Sequence, residues 1–302
     1  MTAVIESRGT LRQSNQRGAR RPSSVVSHLF LVALIIYFLV PLWWLVVASS
    51  KNVQGLFDGT GGALWFDQTI DYVGNLSLLF TYNDGIYLQW MANSALYAIG
   101  GGVGATVIAV LAGYGFAKFA FRGRNFTFAL LLGSVMVPAT ALVIPTFVLF
   151  STASLTDTMW AVILPSFLNP FGVYLMRVYI ADAVPTELMD AARVDGASEF
   201  RTFIQVALPL MKPAVVTVLL LSVVANWNNY FLPLVMLSNS QLFPVTTGLG
   251  LWQGLASANN GGGTSLWNLI IIGALVSVIP LIIAFLSLQK YWQGGLSMGS
   301  LK

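Results

Sequence analysis

The polar residues that could do chemistry are concentrated in one stretch, MDAARVDGASEFRTFIQVALP, at residues 189–209. It places two arginines, three acidic residues and a glycine between long apolar runs, in a chain of which 9% is charged. Thr186 is predicted to cap a helix over 187–194, Gly196 can take the left-handed conformation that ends it, and Ser198 can cap a second helix. The stretch therefore predicts two short amphipathic helices around a glycine hinge, which can lie on a membrane or dock into a partner's groove.

The second of these helices is predicted to present one apolar face. Its apolar residues recur at the i, i+3, i+4, i+7 spacing, and they are Phe200, Phe203, Ile204 and Ala207. Pro209 and Pro213 then lead into the next apolar run. This stretch therefore favours binding through the apolar face of its second helix.

The remaining side chains exclude most catalytic chemistry. The chain has one histidine, His28, and no cysteine, and all 11 acidic residues fall outside the apolar runs. Such a set cannot assemble a nucleophile triad, a zinc site or a carboxylate pair within a membrane. No lysine follows a glycine, so the sequence has no P-loop of the glycine-lysine type. We expect no catalytic residue and no metal site in this chain, and a membrane-embedded enzyme is the least favoured class.

The composition sets the elements that must position these residues. The chain has 302 residues, is 56% hydrophobic and has a mean hydropathy of +0.76, values typical of an integral membrane protein. Apolar runs long enough to cross about 30 Å of hydrocarbon predict six transmembrane helices. They lie near 29–48, 91–117, 126–150, 159–180, 213–238 and 266–288. The predicted fold is an all-α bundle forming one domain over 28–302, after a basic, disordered segment over 1–27.

Two features of these apolar runs have competing interpretations. The first run could be a signal peptide, but its length of about 19 residues exceeds the usual apolar region of such peptides. The glycine-rich stretch 100–104 resembles a ligand-binding loop, but Gly100 and Gly104 have the spacing of a close helix-packing face. A first span and a packing face are the favoured interpretations.

The basic residues predict the orientation. With six spans, all 15 lysines and arginines except Lys51 fall on one side of the membrane. Because basic residues stay on the cytoplasmic side during insertion, both termini and the 189–209 stretch are predicted to be cytoplasmic.

The polar stretch also carries a family resemblance. Asp190, Ala191 and Ala192, then Gly196, then VALP at 206–209, resemble the EAA loop of ABC importer permeases, which runs E-A-A, three residues, G, nine residues, I-x-L-P. The spacing matches throughout, although the acid is Asp rather than Glu and the later aliphatic residue is Val rather than Ile. An interfacial helix pair without a partner is the alternative interpretation.

Further motifs extend the resemblance to carbohydrate permeases similar to the smaller permease subunit of maltose transporters. These motifs are AGYGFAKF at 112–119, FRGR at 121–124, VDGAS at 194–198, WNNY at 227–230, and KYW with GLSMG between 290 and 299. Asn229 stands where the family pattern has an acid. The resemblance covers about residues 28–302.

The resemblance implies a set of partners. These are a second homologous permease, two cytoplasmic ATPase subunits that bind ATP and Mg, an extracytoplasmic solute-binding protein and a carbohydrate substrate. The chain itself would lie among lipids in a bacterial inner membrane as a transport subunit, with no bound cofactor and no nucleic-acid partner.

It also implies residue roles in coupling to the ATPases. Asp190 would form an ion pair with the ATPase, Ala191 and Ala192 would allow close approach, and Gly196 would form the turn. Phe200 and Phe203 would be apolar anchors. The complete coupling set is Asp190, Ala191, Ala192, Asp195, Gly196, Phe200, Phe203, Leu208 and Pro209.

A second polar group within the apolar runs is a candidate substrate path. Amide and aromatic side chains suit the hydroxyls and faces of a sugar, and they occur at Asn169, Asn226, Trp227, Asn228, Asn229 and Tyr230. The alternative is that the asparagines join helices and the aromatic residues mark the membrane interface. The alternative function, an ion-coupled carrier of a small neutral solute, lacks the intramembrane acid that proton coupling usually needs.

Overall fold

The computed structural model describes residues 25–58, 61–258 and 266–297, so most of the predicted basic segment and part of the closing motif lie outside these ranges. Within them the secondary structure is helical, with no strand, which confirms the all-α class. The α-helices are α1 Val25–Ser49, α2 Val53–Asp58, α3 Tyr72–Thr81, α4 Ile86–Lys118, α5 Arg124–Val135, α6 Val143–Thr152, α7 Trp160–Ser166, α8 Pro170–Ala183, α9 Thr186–Val194, α10 Glu199–Thr202, α11 Leu208–Trp227, α12 Phe231–Met236, α13 Val245–Ser257 and α14 Leu266–Ser297.

Five helical segments are long and apolar enough to cross a membrane. They are Val25–Ser49, Ile86–Lys118, Trp160–Ala183, Glu199–Trp227 and Leu266–Gln289. A sixth span is reached when Arg124–Val135 and Ala139–Thr152 count as one element, although these two segments meet at a bend of 98°. The span predicted over 126–150 is therefore broken, because Pro138 has no backbone N–H and disfavours helical geometry in the residue before it.

The fifth predicted span is displaced along the chain. Its helix runs over Glu199–Trp227, and Phe231–Met236 forms a separate short helix, so the boundaries predicted at 213 and 238 are wrong. Pro209 and Pro213 do not delay the start of this helix, because a π-helical turn at Phe203–Ala207 ends two residues before Pro209. In this turn the Leu208 N–H donates to the Phe203 carbonyl, five residues back. The wider turn accommodates the proline ring, which would otherwise meet a carbonyl of the preceding turn.

The chain divides into two units after Trp44. In the first unit, residues 25–44 of helix α1 are largely apolar, as a segment that crosses lipid requires. The second unit begins at Leu45 and holds the remaining helices.

Near the start of the second unit the Lys51 ammonium is 3.5 Å from the Asp67 carboxylate, with both side chains buried or nearly so. The amides of Asn75 and Asn268 both donate to the Lys51 carbonyl.

Helix α4 lies at the centre of the second unit, against α8 and α11. Glycines permit close approach: a Cβ on Gly104 would lie 2.2 Å from the ring of Phe167, in the link before α8, and one on Gly102 would lie 2.6 Å from the side chain of Val223 on α11. The packing role predicted for Gly104 is therefore confirmed. Gly100 differs, because its nearest atom would be at an ordinary 3.8 Å.

Candidate coupling elbow and polar cavity

The polar stretch folds as predicted around Gly196. We call residues 186–202 the elbow; it comprises α9, a short link and α10. Gly196 has φ +80°, its N–H donates to the Arg193 carbonyl, and the Ala197 N–H donates to the Ala192 carbonyl. These two bonds satisfy carbonyls at the end of α9 and form a Schellman motif, which requires a left-handed residue at this position.

The two predicted helix caps have different outcomes. The Ser198 hydroxyl accepts a bond from the Arg201 N–H at 3.4 Å, which confirms the cap of α10. Thr186 is instead the first helical residue, and Pro185 holds the cap position in an extended conformation. Proline fixes φ and needs no N–H partner there, so α9 begins without a side-chain cap.

Arg193 connects the two helices of the elbow. Its Nε and Nη2 donate to the two carboxylate oxygens of Glu199 at 2.7 and 3.1 Å, and its Nη1 donates to Asp190 at 2.8 Å. The bonds to Glu199 first, and then those to Asp190, raise the pKa of Arg193 above its ordinary value. The acid predicted to pair with a partner is thus already paired within the chain.

The apolar residues of the elbow divide between the interior and the surface. Phe203 is buried against the Tyr114 ring, with centroids 4.9 Å apart, whereas Phe200 is 75% exposed. Phe203 is therefore a core residue, and of the two apolar anchors that the resemblance implied only Phe200 is exposed. The four-residue face is split along its length: Phe203 and Ala207 on one side of it are buried, and Phe200 and Ile204 on the other side are exposed.

The other predicted coupling residues lie on or near the surface. Asp190, Ala191, Asp195 and Pro209 are exposed, and Ala192 is half-buried. Leu208 is half-buried against the apolar cluster that contains Phe203. The elbow thus presents acidic, small and apolar groups outward together.

A cavity of about 640 Å³ lies among α4, α6, α7, α8, α11 and α12. Three of the six predicted path residues line it, namely Asn169, Asn226 and Asn229. The lining that sequence reasoning missed includes Thr140, Thr146, Ser166, Ser222, Phe171 and Phe231, and none of the described lining residues is charged. The cavity therefore offers amides, hydroxyls and aromatic faces.

Asn169 lies at the break between α7 and α8, and its side chain joins this break to α11. Its Oδ1 accepts from the Gly172 N–H at 2.8 Å and caps α8, and its Nδ2 donates to the Ser222 hydroxyl at 2.9 Å. In the described part of the chain, no hydrogen bond engages the side-chain amides of Asn226 and Asn229. These two amides are thus available to a ligand.

The other three predicted path residues do not line the cavity. Trp227 is buried, the Asn228 amide donates to the Val224 carbonyl at 2.9 Å, and Tyr230 packs beside Gly250. Helical spacing separates the residues that line the cavity from those that do not. Ser222 and Asn226 are four residues apart and lie on one face of the helix, whereas Trp227 and Asn228 lie on another. The same spacing could have identified Ser222.

Known proteins similar to this chain share both its sequence pattern and its fold. A family described as "Binding-protein-dependent transport system inner membrane component" matches residues 105–297, more than half of the chain. The chain belongs to the family of binding-protein-dependent transport system inner membrane components. The predicted membership of the ABC importer permeases is thereby confirmed, and the chain is a transport subunit rather than an enzyme.

Individual relatives align with this permease over nearly its whole length. The arabinooligosaccharides transport system permease protein AraQ of Halalkalibacterium halodurans is 34% identical over 286 residues, covering 94% of this chain and 99% of that protein. The lactose transport system permease protein LacG of Rhizobium radiobacter is 29% identical over 285 residues, covering 94% and 98%.

A solved structure supports the fold of the permease. A chain of a bacterial ABC transporter involved in the import of the acidic polysaccharide alginate superposes with a TM-score of 0.75, covering 89% of this chain and 95% of that one, at 24% identity. Importer permeases of this kind work with a second permease, ATPases and a binding protein, and the permease is a multi-pass inner membrane component. An ion-coupled carrier is not favoured.

Proposed function

We propose that this permease forms, with a second homologous permease, the path for a neutral sugar or oligosaccharide, and that two cytoplasmic ATPases drive it through the elbow. One observation carries the proposal. The segment Glu199–Trp227 is a single helical span that begins in the elbow and ends at the cavity, where it places Ser222 and Asn226. A displacement of the elbow can therefore reach the cavity wall through one element.

The cavity favours a neutral substrate. A carboxylate or phosphate taken into an apolar surrounding needs a cationic partner, and the described lining residues supply none. Sugar hydroxyls can instead bond to the amides of Asn226 and Asn229, while Phe171 and Phe231 offer apolar ring faces. The relatives named for arabinooligosaccharides and lactose support this class.

The energy source is assigned to the partners. This chain has no P-loop lysine, so ATP and Mg would be bound by the ATPase subunits. ATP binding shifts the permease between conformations only if the ATPase contacts the elbow differently in each. Phe200 would anchor the ATPase, Asp190 would face it, and the small side chains of Ala191 and Ala192 would let it approach.

The orientation follows from this assignment. The elbow and both termini would lie in the cytoplasm of a bacterium, as the basic residues predict. The extracytoplasmic solute-binding protein would deliver the sugar to the opposite side.

The test is uptake by the purified complex in sealed vesicles. The complex is reconstituted with its binding protein outside and ATP inside, and labelled arabino-oligosaccharides and lactose are offered with and without ion gradients. We expect one of these sugars to accumulate with ATP and without any gradient. Accumulation that needs a proton or sodium gradient and not ATP, or uptake by this chain alone, would refute the proposal.

A further inference from the structure

The link between the two helices of the elbow has little packing to hold its angle. No atom lies within 4 Å of the position that a Cβ on Gly196 would take, and the neighbouring Val194 is 88% exposed. On the inner side of the elbow, Met189 of α9 and Phe203, which directly follows α10, belong to one buried cluster. Apolar contact therefore holds the inner sides of the two helices and leaves the link itself exposed.

One side chain of the elbow crosses this link. Arg193, near the end of α9, donates one bond to each carboxylate oxygen of Glu199, the first residue of α10. A planar guanidinium paired in this way with a carboxylate fixes relative orientation as well as distance. Asp190 lies one turn earlier on α9 and accepts a third bond, so it orients the guanidinium toward Glu199.

We propose that Arg193 and Glu199 form a clamp that sets the angle of the elbow and makes it transmit force. Both are positioning residues, and the inference rests on the proposed coupling of this loop to an ATPase. Because α10 continues into the span that ends at Trp227, a rigid elbow carries a displacement of α9 to the cavity. With the clamp open, the same displacement is absorbed by rotation about Gly196.

The test measures the angle of the elbow and the ATP cost of sugar import separately. The chain contains no cysteine, so spin labels can be attached to Thr186→Cys and Arg201→Cys, both exposed and on opposite sides of the link. The distance distribution between these labels is recorded in the purified complex. ATP hydrolysed per sugar imported is recorded in vesicles.

Glu199→Gln removes one charge from the clamp. The matched control, Glu187→Gln, makes the same change in α9 at an exposed position with no ion pair among the described residues. We expect Glu199→Gln to broaden the distance distribution and to raise ATP used per sugar by roughly two- to fivefold, the range that an exposed ion pair can supply. The control should leave both unchanged. If Glu199→Gln does not accumulate, Arg193→Lys, which keeps the charge and loses the fork, is measured in its place.

Three outcomes would overturn the clamp. They are a distribution as narrow as that of the parent, a broadening with no change in ATP per sugar, and an equal broadening in the Glu187→Gln control. Failure of the proposed function is distinguishable, since it would show as uptake independent of ATP in the parent complex. In that case the distance distribution of the full chain in lipid nanodiscs still decides whether the clamp sets the angle.

Discussion

Gly196→Ala tests the elbow with little steric disturbance. The added Cβ would meet no atom within 4 Å, so the change acts through the backbone. Gly196 has φ +80°, and an L-residue held in the left-handed region costs about 1–2 kcal/mol. If the ATPase binds the elbow in this conformation, its affinity should fall by the corresponding factor of about 5–30. Gly196→Asn should lose less, because asparagine tolerates the left-handed region better than alanine.

The assay is equilibrium binding of the purified ATPase subunit to the permease pair in nanodiscs. Gly254→Ala is the matched control, because Gly254 also has no atom within 4 Å of a Cβ but lies on α13 without a positive φ. We expect the control to bind as the parent does. Binding by Gly196→Ala within twofold of the parent, or a larger loss for asparagine than for alanine, would refute the reasoning.

Two further substitutions separate the cavity from the packing around it. Asn226→Leu should raise the KM for sugar uptake roughly fivefold or more, because one hydrogen bond contributes about 1 kcal/mol. The control Asn228→Leu, outside the cavity, should change the KM less than twofold. Equal effects of the two substitutions on the KM would contradict the assigned path. Gly104→Ala should lower the melting temperature of the complex, because its Cβ would lie 2.2 Å from the Phe167 ring and overpacking costs about 1–3 kcal/mol. Gly115→Ala, with open space around it, should not lower the melting temperature, and a fall as large as that of Gly104→Ala would count against close packing as the cause.

Features that depend on local sequence were predictable. Apolar runs predicted the helical class because backbone groups in lipid must bond within their own segment. The turn at Gly196 and the cap at Ser198 were also predictable, because each depends only on a few neighbouring residues. Helix boundaries were less predictable, as the bend near Pro138 and the early start at Glu199 show.

Only part of the candidate site could be predicted from the sequence. Composition identified the asparagines near the end of the fifth span, but it did not distinguish Asn226 and Asn229, which line the cavity, from Asn228, which turns to its own helix. Phe203 was predicted as an apolar anchor for a partner, whereas it is buried against Tyr114. Both differences concern which side of a helix faces the interior.

The sequence by itself determined what kind of protein this is. Its apolar runs require membrane helices, its missing P-loop lysine argues against ATP hydrolysis by this chain, and the spacing of its polar loop identified the family. Only the tertiary structure decided which side chains meet: Arg193 with Glu199 across the link, Asn169 with Ser222, and Phe203 with Tyr114. The physical reason is that local periodicity sets where helices form. The way they rotate and cross is set by glycine contacts, by one π turn and by bends between segments that are distant in sequence.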